Sequence, residues 1–137
     1  MKLLDTSVLV DIDRGGVAER VATLDDTGRH AISIVTVTEL QLGVEIQYEQ
    51  GTASQQAAAD DLARLLARFD VLPITRPIAT KAARVIASLQ ERGRQLDDLH
   101  DVYIAATALT RELPVVTANL DHFERIDGLD VVDWAEL

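Results

Sequence analysis

The sequence contains no cysteine. Disulfides and thiolate metal sites are thereby excluded, and a reducing cytoplasm is the expected compartment. Long apolar runs are missing too. No stretch approaches the roughly 18–20 residues that a membrane span requires. Met1-Lys2-Leu3-Leu4-Asp5 meets an acid before a signal-peptide core could form, so a cytoplasmic protein with no membrane partner is expected. Positive charge is scarce: 13 Lys and Arg stand against 23 Asp and Glu, a formal net charge of −10. Such a chain is poorly suited to coating nucleic acid passively, because phosphate binding is driven mainly by cations. An enzyme that cuts nucleic acid through metal ions stays open, since carboxylates that hold metals add negative charge themselves. Only Lys2 and Lys81 are lysines. A lysine-poor acidic surface fits a high-salt habitat and fits ordinary solubility charge equally well. There is no repeat, low-complexity tract or linker. Gly51-Thr52-Ala53-Ser54 is the loosest stretch and reads as a loop between helices.

What is present suits one compact domain over 1–137. The 137 residues are 47% hydrophobic, enough for a core without disulfides. Short apolar strands alternate with amphipathic helices, which predicts an α/β fold with a mostly parallel sheet. The expected strands are Lys2–Asp5, Ala31–Ile34, Val71–Ile74, Leu113–Thr117 and Val131–Val132. Between them, Leu62, Leu65, Leu66 and Phe69 repeat at helical spacing. So do Ile78, Ala82, Val85, Ile86 and Leu89, and Val102, Ala105, Ala106, Leu109 and Leu113. The small residues Ala105, Ala106 and Ala108 let the last of these helices approach the sheet closely.

Functional groups in such folds gather beyond the carboxyl ends of the strands. Asp5 stands at the first of these ends, and with Thr6 and Ser7 it puts a carboxylate and two hydroxyls at a strand-to-helix turn. Asp5 or Thr6 can equally serve as a helix cap there. Glu39 follows the second strand in Thr36-Val37-Thr38-Glu39-Leu40. Thr36 and Glu39 have capping-box spacing, which would secure a helix start without chemistry. Gly43 costs about 1 kcal/mol relative to alanine inside a helix, so its presence predicts close packing. Asp101 ends the run Asp97-Asp98-Leu99-His100-Asp101, just before an apolar helix. Three aspartates suit a helix start, with Asp98 as its cap. Asn119 and Asp121 follow the fourth strand, where an Asx turn or a cap accounts for at least one of them. His30, His100 and His122 show no metal-ligand spacing with one another, and none carries a catalytic role on this reading.

The conjunction says more than any one acid. Asp5, Glu39, Asp101 and the Asn119/Asp121 pair each follow or face a strand end, and in a parallel sheet those ends share one edge. Clustered carboxylates raise each other's pKa values. A hard divalent cation with oxygen ligands, Mg²⁺ or Mn²⁺, relieves that repulsion. Such an ion suits phosphodiester hydrolysis.

At these residues the sequence resembles the PIN-domain family, and within it the VapC-type toxins. Leu4-Asp5-Thr6-Ser7-Val8-Leu9 is similar to that family's first acidic motif, and Thr38-Glu39-Leu40 with Gly43 to its second. Asp101 with Ile104-Ala105-Ala106-Thr107-Ala108-Leu109 resembles the third. Val116-Thr117-Ala118-Asn119-Leu120-Asp121-His122-Phe123, with Ile126 and Gly128-Leu129, resembles the closing segment. The resemblance implies a three-layer α/β/α fold and a Mg²⁺- or Mn²⁺-dependent endoribonuclease. It implies Asp5 and Asp101 as the main metal ligands, with Glu39 ligating through water or orienting the nucleophilic water. Asn119 stands where some relatives carry aspartate, so Asn119 or Asp121 would complete the site. Thr6, Ser7 and Thr117 could hydrogen-bond these carboxylates, or be ordinary turn hydroxyls. Arg14, Arg92 and Arg94 are candidates for phosphate contacts, or else solvated surface arginines. The implied partners are an RNA substrate, a basic VapB-type antitoxin attracted by the acidic chain, and a second copy in a homodimer. A PIN nuclease of RNA processing, a catalytically silent PIN binding module and, more remotely, a haloacid-dehalogenase-like phosphatase or a receiver domain are the competing readings.

Overall fold

In a computed structural model, which describes residues 1–94 and 98–137, five short parallel strands are separated by helices. In chain order the elements are β1 (Leu3–Leu4), α1 (Thr6–Arg14), α2 (Ala18–Asp25), β2 (Ala31–Ser33), α3 (Ile34–Gln47), α4 (Ala53–Leu66), β3 (Asp70–Leu72), α5 (Arg76–Glu91), α6 (Leu99–Arg111), β4 (Val115–Thr117), α7 (Leu120–Phe123) and β5 (Val131–Asp133). A 3₁₀ turn follows at Trp134–Glu136. The sheet order is β3-β2-β1-β4-β5, with every pairing parallel. β1 is therefore central and β4 lies beside it.

Side chains alternate across a strand, and register partners share a face. Leu3 aligns with Ala31 and Val115, and Leu4 with Ile32 and Val116. The first set joins Ile78, Leu89, Val102, Ala105 and Phe123 in one buried cluster, which packs α5, α6 and α7 on that face. The second set joins Val8, Leu9, Leu24, Phe69 and Trp134 on the other face, beneath α1 and α2. Two cores flank one sheet, giving the three layers. Ala105, Ala106 and Ala108 are buried, as their small size predicts for a helix lying close to the sheet.

Helix starts follow from local chemistry. Ser33, Thr52, Thr75 and Asp98 each accept a backbone N–H in the first turn of α3, α4, α5 and α6. Two expectations need correction here. The loop read over 51–54 is shorter, because Thr52 caps a helix that begins at Ala53. Gly43 is not tightly packed, since an added Cβ would meet no atom within 4 Å. The first, second and fourth strands run shorter than predicted: Asp5 and Ile34 belong to helix starts and Leu113 to a turn, because caps and helical bonds claim their backbones. The third is shifted to Asp70–Leu72, and the fifth extends one residue further, to Asp133.

Trp134 is buried at the chain's end, and its Nε1 donates to Asp11 Oδ2 at 3.1 Å. Trp134→Ala removes the largest side chain of the second cluster. It should destabilise the fold by about 3–5 kcal/mol in urea denaturation.

Candidate active site

Asp5 is the residue after β1 and occupies the N-cap position of α1, yet its side chain makes no cap bond. It is only 2% exposed. Its Oδ2 instead accepts from Ser7 Oγ at 2.7 Å and from Thr117 Oγ1 at 2.9 Å. Thr117 is the last residue of β4, so the neighbouring strand delivers it. Each hydroxyl in turn accepts a backbone N–H: Ala118 N donates to Ser7 Oγ at 3.1 Å, and Asn119 N donates to Thr117 Oγ1 at 2.9 Å. A hydroxyl has one proton to give. Since backbone donors occupy the acceptor side, both protons point at Asp5, an arrangement that suits a carboxylate.

Glu39 does not belong to a capping box. α3 begins at Ile34 and is capped by Ser33, whose Oγ accepts from Val35 N at 3.2 Å. Thr36 is thus already helical and buried. The strand's own last residue provides the cap three positions earlier than the spacing predicts. Glu39 turns toward α1, and its Oε1 accepts from Thr6 Oγ1 at 2.9 Å. Thr36 Oγ1 lies 3.0 Å from the same hydroxyl. With the Thr6 proton given to Glu39, Thr36 is the donor to Thr6.

Asp98 caps α6 as predicted, accepting from His100 N at 2.8 Å. Asp97 lies outside the described residues. In the first turn of α6, the Asp101 side chain is 14% exposed, and its Oδ2 lies 2.6 Å from His122 Nδ1. His100 Nδ1 stands 3.7 Å from Glu39 Oε2 and 3.5 Å from Asp98 Oδ1. Each of these three residues offers a ligand atom within 4.8 Å of the others.

The electrostatics of these acids are linked. The pKa of Glu39 is raised, first by burial, with Asp98 and Asp5 adding to it, while the Thr6 bond and His100 oppose the rise. That of Asp101 is raised by burial and then by Asp5, with Asp98 adding less and the His122 bond opposing. Glu39 and Asp101 thus each feel Asp5 and Asp98, although the four acids come from three places in the chain: the turn after β1, α3 and the start of α6.

The other predicted residues are placed less uniformly. Asn119 takes the N-cap position of α7 without a side-chain cap bond, and Asp121 sits in that helix's first turn. Both are exposed. Arg14 and Glu39 line the same groove of about 400 Å³ between α1, α3 and α4, with Gly43 on its wall. Arg92 is committed elsewhere, to Asp127 at 3.2 Å and to the Arg125 carbonyl at 2.9 Å. Arg94 is exposed. Three residues of this neighbourhood escape the sequence reading: Asp98 as more than a cap, His100 and His122. No spacing could have found His122, because it meets Asp101 across 21 positions and an intervening strand.

The PIN-domain family profile matches residues 2–129. The chain belongs to the PIN-domain family. Its relatives place it among the VapC proteins. It is 32% identical over 133 residues to Ribonuclease VapC1 of Methanocaldococcus jannaschii, covering 96% of this chain and 86% of the relative. Among solved structures it resembles FitAcB from Neisseria gonorrhoeae, at TM-score 0.84 and 29% identity over the full length of both chains. DNA-bound VapBC from Salmonella typhimurium matches at TM-score 0.80 and 28% identity, over 98% of this chain and 99% of the other. This PIN-domain assignment sets aside the phosphatase and receiver readings.

The raised pKa values carry a sign for stability. Glu39 and Asp101 bind protons more tightly folded than unfolded, so the folded state loses stability as pH rises from the ordinary carboxylate range through the raised values. In EDTA, Asp101→Asn should therefore gain stability over the wild type near pH 8, with the gap closing toward about pH 3.5. Asparagine still accepts from His122, which keeps the comparison clean. Urea denaturation at both pH values checks it, and a gap independent of pH would contradict it.

Proposed function

We propose that this chain is a metal-dependent endoribonuclease and the toxin of a VapBC-type toxin–antitoxin pair, with 1–137 acting as one PIN domain in the cytoplasm. The observation that carries the chemistry is how the three acids are held. Asp5, Glu39 and Asp101 each give one oxygen to a protein donor. Their remaining oxygens, Asp5 Oδ1, Glu39 Oε2 and Asp101 Oδ1, have no hydrogen-bond donor among the described residues. An all-oxygen set carrying uncompensated negative charge fits a hard divalent cation, Mg²⁺ or Mn²⁺.

Asp5 and Asp101 would be the main ligands, with Glu39 ligating through water or orienting the attacking water. Asp121 or Asn119, on the first turn of α7, would complete the site. When bound, the ion supplies Lewis acidity for phosphodiester hydrolysis, by activating water and stabilising the leaving oxygen. The residues of the chain do the positioning. Thr6 holds Glu39, and Ser7 with Thr117 holds Asp5, so the carboxylates need no reorganisation on binding. Arg14, on the groove shared with Glu39, is the arginine best placed to meet an RNA phosphate. Arg94, exposed beyond α5, remains a candidate, whereas the ion pair of Arg92 draws it away from this role.

An acidic toxin favours a basic VapB-type antitoxin, and the related VapBC structures support that partner. Ile34, Leu42 and Ile46 lie exposed along α3, with Ile46 72% exposed, which favours a homodimer through this helix. No helix among the described residues is long and apolar enough to cross a membrane.

Purified chain should cut RNA with Mg²⁺ or Mn²⁺, stop in EDTA, and lose activity in Asp5→Asn. Metal-independent cutting, or an active Asp5→Asn, would refute the mechanism. Glu39→Gln keeps an acceptor for Thr6 and removes only the charge. It should hold stability within about 1 kcal/mol and lose most activity. Unfolding of this variant would show that Glu39 serves the fold instead.

A further inference from the structure

The three carboxylates are gripped differently. Two hydroxyls hold Asp5 and one holds Glu39, but among the described residues no hydroxyl reaches Asp101. Its side chain has one hydrogen-bond partner among the described residues, His122, at 2.6 Å between Nδ1 and Oδ2. That distance is short for a nitrogen donor, as charge-assisted bonds are. With the carboxylate accepting, Nδ1 carries the hydrogen.

His122 is well anchored for this task. It lies on α7, and its backbone N–H bonds to the Asn119 carbonyl at 3.1 Å. The next residue, Phe123, is fully buried in the core cluster that contains Val102, Ile104 and Ala105 of α6. Phe123 therefore locks α7 against the helix that carries Asp101. The ring itself is 41% exposed and the carboxylate it touches 14%. A partly exposed pair of this kind contributes little to folding. Its effect falls on the orientation of Asp101.

We propose that His122 is a positioning residue that fixes Asp101 through Nδ1, keeps Oδ1 as the free oxygen, and so sets the affinity of the site for a divalent cation. This rests on the metal-site reading given above. Hydrogen-bond partners of metal-held side chains typically change metal affinity by about 10- to 100-fold when removed. The role belongs to this chain's own histidine and needs no contact between His122 and RNA.

Calorimetric titration of Mn²⁺ into the metal-free full chain tests it. His122→Ala and His122→Gln should weaken Mn²⁺ binding about tenfold or more, with the melting temperature of the metal-free protein unchanged. His122→Asn sets an amide nitrogen where Nδ1 stands and should bind within about threefold of wild type, as expected if the single hydrogen bond is what matters. In an Asp101→Asn background the His122→Ala change should have no further effect. RNA cleavage by His122→Ala should fall at low Mn²⁺ and recover at saturation, which a structural defect would not do. If His122→Ala fails to fold, the contrast between Gln and Asn decides. Wild-type binding of Mn²⁺ with Ala and Gln variants equally tight would overturn the role of His122 alone. No Mn²⁺ binding by the wild type would overturn the metal site and this role with it.

Discussion

Asp5 is a carboxylate with almost no access to water, set among other carboxylates. Burying a charge is costly unless it is hydrogen-bonded or paired. Hydroxyls and imidazoles supply all the side-chain partners of Asp5, Glu39 and Asp101 in the described structure. Three arginines are paired elsewhere, Arg29 with Asp70, Arg68 with Asp25 and Arg92 with Asp127. The compensation around the cluster is therefore partial, and burial together with the neighbouring acids raises the pKa values of Glu39 and Asp101. The divalent cation proposed above would complete it.

A partly compensated cluster is tolerable because the rest of the fold is apolar and tightly bound to the sheet. β1 has two residues and the other strands three each, so the sheet is little more than a narrow ribbon between two cores. Short parallel strands end quickly, and their carboxyl ends lie together at one edge. Asp5 comes directly after β1, Thr117 closes β4, and Ser33 closes β2 while opening the helix that carries Glu39. The hydroxyl network then converts backbone N–H groups at 118 and 119 into restraints on Asp5. The polar site is an extension of the sheet's own hydrogen bonding.

The PIN assignment and the acid cluster explain each other. The family match fixes what kind of domain this is. The geometry adds what a motif cannot: which oxygen of each acid is already occupied, and by what. It also divides the arginines, leaving Arg14 on the groove beside Glu39 while an ion pair claims Arg92.

Much of this is legible in the sequence. Alternating strands and amphipathic helices determine an α/β class, because periodicity records which face is buried. Asp5, Glu39 and Asp101 stand out because acids just beyond apolar strands must meet at one edge of a parallel sheet. Helix starts were harder: Thr36 and Glu39 match a capping box, but Ser33 is one of several competent caps, and only the end of β2 chose it. Gly43 signalled close packing and instead borders a groove, since a missing side chain does not reveal what fills its place. The pairs Thr6–Glu39, Thr117–Asp5 and His122–Asp101 were decided by tertiary structure alone. They join residues 33, 112 and 21 positions apart, and strand order sets such distances, which the sequence of either partner does not encode.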